Sequence, residues 1–299
     1  MRTVFLLFLG LVFALASDAA SVRVAAISFV PEKFQLERNC RKLEAMFRQA
    51  AAQGAQLALA PEGILEGYVV NEIIAGEVPE EKMKEVAVSR DGPVIRSFRD
   101  LALELRMCLA FGFAELRRDD VFNAAIFIDH EGKLAGVYHK MQFHEGYHPS
   151  WWFNRLGASS RAFDTPFGRC GFLICNDRWN PDLARIPCAD AAQFLLIPAY
   201  GSRSEAQDEA VQARARENGV PLVEANVGLR MVVDANGHAL VQSHDWEGVS
   251  ISEIDIPKPR PAQTQLRDRL EKEFLNWRAE EMKQRYQDTL ARLRKVSDE

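Results

Sequence analysis

Apolar residues recur along this chain in two alternating rhythms. Residues 22–30 read Val-Arg-Val-Ala-Ala-Ile-Ser-Phe-Val, a first strand. Over 37–53, Leu43, Met46, Phe47 and Ala50 fall at helical spacing, which predicts a helix with one apolar face, closed by Gly54. Residues 57–60 form the next strand, so the chain opens as a βαβ unit with its right-handed crossover. The charged stretch 80–85 faces solvent. A second amphipathic helix over 93–106 carries Ile95, Phe98, Leu101 and Leu105. Strands follow over 108–113 and 122–128; the turn Asp129-His130-Glu131-Gly132 leads into a return strand over 133–139.

The second half repeats the alternation. A short apolar run over 170–174 reads as a buried strand that ends abruptly. Asn180-Pro181-Asp182 can start a helix, with proline in its first turn, running to about residue 192. Then come a strand (194–198), a helix (206–218) closed by Gly219, and strands over 220–225, 229–233, 238–242 and 249–256. Asp234-Ala235-Asn236-Gly237 supplies a hairpin turn. Pro257, Pro259 and Pro261 end the sheet region. Residues 263–296 read as one helix of roughly 50 Å at 1.5 Å per residue. It carries a stripe of Leu266, Leu270, Phe274, Trp277, Met282, Tyr286, Leu290 and Leu293 on a charged background. An arm of that length is expected to pack on a neighbouring subunit, giving a homodimer or higher homo-oligomer; folding back on its own domain is the alternative.

The first twenty residues differ from the rest. A positively charged start at Met1-Arg2-Thr3, an apolar run over 4–16, and the small residues Ala14, Ala16, Ser17 and Ala19 read as a cleavable signal peptide over 1–20. The run is too short for a comfortable membrane span. The expectation is a secreted or periplasmic protein with no membrane contact after cleavage. At 47% hydrophobic and 26% charged, the composition is that of an ordinary globular chain. Net charge is −5, with no basic block or Arg/aromatic interleaving, so nucleic acid is not expected as a partner. The five cysteines (Cys40, Cys108, Cys170, Cys175, Cys188) are odd in number, which leaves at least one thiol free or paired between molecules. A chain of this length needs no disulfide scaffold to build a core.

Three strand ends carry candidate chemistry. Glu62, in Pro61-Glu62-Gly63, sits just past a buried strand, where burial tunes a carboxylate for general-base work. Lys140 ends the return strand, where it can hold a developing oxyanion as a fixed cation. Cys175 lies at a strand-to-helix corner, exposed at the sheet edge, with the N–H groups of the next turn aimed at whatever it attacks. Trp151, Trp152 and Phe153 can wall a pocket or form a core or subunit contact. His139, His144 and His148 match no zinc spacing, and there is no Gly-rich phosphate loop; neither a metal nor a cofactor is called for.

On these residues the sequence resembles the nitrilase, or carbon–nitrogen hydrolase, superfamily, over about 22–256. Leu59-Ala60-Pro61-Glu62-Gly63 looks like its glutamate motif. Asn123, the 129–132 turn and Tyr138-His139-Lys140 look like its lysine region, and 171–177 its cysteine elbow; 214–226 resembles the segment that follows. The three motifs stand in family order, 78 and 35 residues apart. The resemblance implies a four-layer αββα sandwich over 21–260, with 261–299 as a C-terminal helical extension. It implies Cys175 as nucleophile, Glu62 as base, and Lys140 with the backbone N–H of Asn176 as oxyanion hole. Glu145 would be the second glutamate of many members. True nitrilases usually carry Cys-Trp-Glu. Cys175-Asn176-Asp177-Arg178 looks more like amidases, in particular N-carbamoyl-D-amino-acid amidohydrolases, where two arginines grip the substrate carboxylate. Here Arg178 is present, but Trp179 takes the second place, which weighs against an amino-acid carboxylate. The expected reaction is cleavage of a small non-peptide amide or N-carbamoyl substrate through a cysteine thioester. Nitrile hydrolysis, acyl transfer to an amine, and a catalytically inactive binding protein are the alternatives.

Overall fold

Every central strand of this protein is buried on both faces, and its period-two alternation sorts its side chains between two cores. The computed structural model describes residues 20–297; the leader expected over 1–20 lies outside them, apart from the backbone of Ala20. The first half runs β1 (Ala20–Ser28), α1 (Leu36–Ala52), β2 (Leu57–Leu59), the short helices α2 (Val70–Ile74) and α3 (Lys82–Val86), α4 (Pro93–Leu105), β3 (Cys108–Arg117), β4 (Asp120–Ile128) and β5 (Leu134–His139). The second half runs β6 (Phe163–Thr165), β7 (Gly168–Phe172), α5 (Pro181–Ala189), β8 (Phe194–Ala199), α6 (Glu205–Asn218), β9 (Leu222–Asn226), β10 (Leu229–Val233), β11 (Ala239–Ser243), β12 (Gly248–Ile256) and α7 (Thr264–Ser297).

These strands form two six-stranded sheets, ordered β12-β1-β2-β3-β4-β5 and β11-β10-β9-β8-β7-β6. In each, three parallel strands form the centre (β1-β2-β3 and β7-β8-β9) and antiparallel strands flank them. Val24, Ala26, Leu57, Leu59 and Ala110 point into the core between the sheets. Their neighbours Ala25, Ile27, Ala58, Leu109 and Phe111 pack under α1 and α4, against Leu43, Phe47 and Phe98. On the far side, Leu183 and Ile186 of α5 and Val211 and Ala215 of α6 cover the second sheet. The result is the αββα sandwich. Among the described residues no helix is long and apolar enough to cross a membrane.

The reading of the elements needs two adjustments. The short helices α2 and α3 and the three-residue β6 carry too few periodic positions to announce themselves. The five cysteines are all free thiols. The largest difference concerns the arm. α7 folds back along its own domain, the second of the two readings. Leu270 and Phe274 bury in the main core and Met282 is buried further along. Arg267 pairs with Asp190 at 2.6 Å, and Glu271 with Arg161 at 2.6 Å. The aromatic segment closes the far end, with the Tyr286 ring 5.4 Å from Trp151 and 5.0 Å from His148. The stripe is thus occupied intramolecularly, and of its large apolar residues Trp277 stays exposed.

Candidate active site

In parallel α/β sheets ligands bind beyond the carboxyl ends of the strands. Four such ends converge here. β2 delivers Glu62, β5 delivers Lys140, β7 delivers Cys175 and β8 delivers Tyr200. Glu62 is fully buried, and its backbone lies so close to β3 that a Cβ on Gly112 would sit 2.5 Å from its Cα. Only glycine fits there. The Glu62 carboxylate accepts three bonds. Lys140 Nζ and Asn123 Nδ2 each lie 2.7 Å from Oε1, and the backbone N–H of Tyr200 lies 2.9 Å from Oε2. Lys140 is equally buried, with its ammonium 5.7 Å from the centre of the Tyr68 ring.

The elbow is a 3-10 turn over Cys175–Trp179. Cys175 itself has φ +46°, a left-handed conformation that costs an L-residue roughly 1–2 kcal/mol. Asp177 holds it there. Its buried carboxylate accepts from the Ile174 N–H at 2.9 Å, the Gln142 N–H at 2.9 Å and the Tyr138 hydroxyl at 2.8 Å. One side chain thereby ties the cysteine turn to the strand and loop that carry Lys140. Burial pushes the Asp177 carboxyl up to about 6 despite these bonds. The Cys175 thiol donates to the Tyr200 carbonyl oxygen at 3.5 Å. Tyr200 therefore meets both side chains, the Glu62 carboxylate through its N–H and the Cys175 thiol through its C=O.

Burial and neighbouring charges set the charge state of each of these groups. Burial, reinforced by Glu62, raises the Cys175 thiol above its usual range, against the pull of Lys140 and Arg178. It therefore keeps its proton at neutral pH. Burial by itself would lower the Lys140 ammonium, yet the acidic groups around it, Glu62 foremost, outweigh it and the net direction is up, so Lys140 stays charged. Glu145 is buried and pushed up by desolvation, with Lys140 opposing; Asn154 Nδ2 donates to it at 2.9 Å.

A cavity of about 600 Å³ opens over the elbow. The sequence-derived candidates Cys175, Asn176, Arg178, Trp179 and Glu145 all line it, while Glu62 and Lys140 lie beneath with no exposure. The Asn176 side chain donates to the Gln142 carbonyl at 3.3 Å. Arg178 does not offer a fork to the cavity. Its Nε bonds the Cys175 carbonyl at 2.7 Å, Nη2 lies 3.3 Å from Sγ, and Nη1 is in a buried ion pair with Glu224. That geometry is a brace for the elbow, the alternative to substrate capture. Trp179 stands half-exposed at the rim. The sequence reading missed Tyr68, Tyr200, Asn71 and Arg285 on the wall, and Asp177, Tyr138 and Glu224 behind it. The positive φ of Tyr68 leaves no sequence mark, and Arg285 lies far along the chain on α7. Among the described residues no cluster of His, Cys, Asp or Glu is placed to hold a metal.

Comparison with known proteins agrees with this arrangement. A family model, that of the carbon-nitrogen hydrolases, matches residues 19–263. A citrullinase of Francisella tularensis is 28% identical over 256 residues, covering 79% of this chain and 85% of that protein. An N-carbamoylputrescine amidase of Arabidopsis thaliana is 29% identical over 216 residues, covering 68% and 70%. Among solved structures, the amidase from Nesterenkonia sp. AN1 in complex with acrylamide superposes with a TM-score of 0.66 at 22% identity. It covers 86% of this chain and 97% of that one, which speaks to the fold. Since the family match spans most of the chain and the sandwich is the one its motifs implied, the chain belongs to the carbon-nitrogen hydrolase family and is a hydrolase of carbon–nitrogen bonds.

Proposed function

We propose that the protein cleaves a small non-peptide amide or N-carbamoyl compound through a thioester on Cys175. The observation that carries this reading is the convergence of the Glu62–Lys140 pair and Cys175 on the two sides of Tyr200, under one cavity. Glu62 takes the thiol proton as sulfur attacks the carbonyl carbon. The Lys140 ammonium and the Asn176 N–H hold the oxyanion. The C–N bond then breaks, and the proton on Glu62 leaves with the ammonia or amine. Water, deprotonated by Glu62, attacks the thioester; the acid departs and the thiol is restored. The names of the citrullinase and the N-carbamoylputrescine amidase support a carbamoyl-type bond.

The test is a panel of simple amides, N-carbamoyl compounds and nitriles, with ammonia release as readout and intact-protein mass to catch the acyl adduct. Cys175→Ala should abolish turnover and adduct while keeping the thermal melt. Full activity in that variant, or faster turnover of a nitrile than of its matching amide, would overturn the reading. The proposal includes export, supported by the charged start and apolar run of residues 1–20. Protein from its native host should begin between Ser17 and Ser21; mass spectrometry that finds Met1 retained would count against it.

A further inference from the structure

The cavity wall includes a cation from outside the family-matched region. Arg285 of α7 lines the same cavity as Cys175, although the family match ends at residue 263. Its position is set at the backbone level. Gly146, next to Glu145, has φ +81°, and a Cβ there would lie 2.1 Å from the Tyr286 nitrogen and 2.6 Å from the Arg285 carbonyl carbon. The adjacent Tyr147 N–H donates to the Met282 carbonyl at 3.0 Å. The helix is therefore seated directly on the loop that carries Glu145.

The charges on the wall are unequal in their commitments. Arg178 is neutralised by Glu224, and Lys140 beneath the floor by Glu62. Arg285 is also ion-paired, with Glu281, but through its Nε alone, at 2.7 Å and partly exposed. Among the described residues its two terminal nitrogens meet no acceptor, so the planar fork that matches a carboxylate is open. A second, smaller cavity shares Asn71, His144 and Glu145 with the first and adds Arg292, two helical turns further on, together with Glu72 and Glu77. Burial lowers the His144 imidazole, and Lys140, Arg292 and Arg285 lower it further, so it adds no positive charge of its own at neutral pH.

We infer that Arg285 binds the carboxylate of an anionic substrate, whose amide or carbamoyl carbon sits at Cys175. The assignment rests on the reaction proposed above and names its substrate class: the monoamide of a dicarboxylic acid, or an N-carbamoyl amino acid. The same guanidinium opposes a substrate with an ammonium tail.

The experiment compares three amides of equal chain length, ending in a carboxylate, a methyl or an ammonium group. Binding is measured by calorimetry on full-length Cys175→Ala protein, and KM on the parent enzyme. The carboxylate compound should bind tightest and the ammonium compound weakest. Arg285→Gln should cut the carboxylate-over-methyl preference on the order of tenfold, the range of one charge-assisted hydrogen bond. Arg285→Lys should restore part of it, and Arg285→Glu should invert the order in favour of the ammonium compound. Inversion cannot arise from misfolding. Equal affinities for the three, or an order unchanged by Arg285→Glu, would overturn the assignment. An enzyme that forms no acyl adduct while the Cys175→Ala protein still sorts the three by charge would refute the proposed reaction and leave Arg285 in its role.

Discussion

Two buried ion pairs flank Cys175, one from each sheet, and they serve different ends. In the first sheet Lys140 meets Glu62 at 2.7 Å; in the second Arg178 meets Glu224. All four side chains are at most 1% exposed. Taking charges out of water is costly, and a buried pair repays that cost only when its remaining hydrogen-bonding sites are filled. On the carboxylate side both are supplied: Asn123 and Tyr200 complete Glu62, while Gln207 and Asn226 complete Glu224. The difference lies in the cation. A guanidinium does not give up its proton in a protein, and here it clamps the carbonyl and sulfur of the cysteine turn. An ammonium is a compact point charge, and in the proposed reaction its carboxylate partner exchanges a proton with the thiol. One pair holds the geometry of the elbow; the other is the one the proposed reaction uses.

That contrast can be broken at each pair. The largest effect is expected from Glu62→Gln, which keeps the shape but removes the base. Turnover should fall on the order of 10²–10⁴-fold, because general-base loss has that scale, and the Lys140 ammonium left without its charge partner costs stability as well. Activity within a few-fold of the parent in steady-state assays would place the base elsewhere. Glu224→Gln is predicted to act the other way round. It strands a buried guanidinium, so stability should drop by about 3–5 kcal/mol, read by chemical denaturation. A melt unchanged by this variant would mean that Arg178 is not held by its partner.

Glu66 sharpens the comparison, since it is a buried carboxylate with no ion pair among the described residues. Burial pushes it up to about 7, although the Ala114 N–H donates to it at 3.0 Å. A carboxyl raised in the folded state binds its proton more tightly there than in the unfolded chain. The stability it contributes is therefore full below about pH 4.5 and is lost as pH rises towards 7. Relative to Glu66→Gln, the parent should lose up to roughly 3 kcal/mol over that window. A difference between the two proteins that is flat with pH would remove burial as the dominant influence on Glu66.

Much of the fold was legible in local pattern. The alternation in β1 and the helical spacing of Leu43, Met46 and Phe47 follow from covalent geometry, and the observed elements match them within a few residues. Glu62, Lys140 and Cys175 were legible for a related reason. Each stands where a strong apolar run stops, and such stops lie at the sheet edge where side chains of different strands meet. Arg178 was read at the right place, but its commitment to Glu224 depends on a residue 46 positions away.

The strand and helix periods, the order of the three motifs and the amphipathic stripe of the last helix all reside in neighbours along the chain, so they can be read without the fold. What each of them faces depends on how distant segments pack. The stripe of α7 states that a surface must be buried and is silent on which surface, so it served equally for a partner or for its own domain. Close approach at Gly146 settled it and brought Arg285 over the cavity, 110 residues beyond the thiol. Asp177 likewise reads as one more acid after a cysteine until β5 and its following loop present Tyr138 and Gln142 to it. Hydrophobic period is a one-dimensional property; hydrogen bonds and ion pairs between distant strand ends exist only once the two sheets have packed.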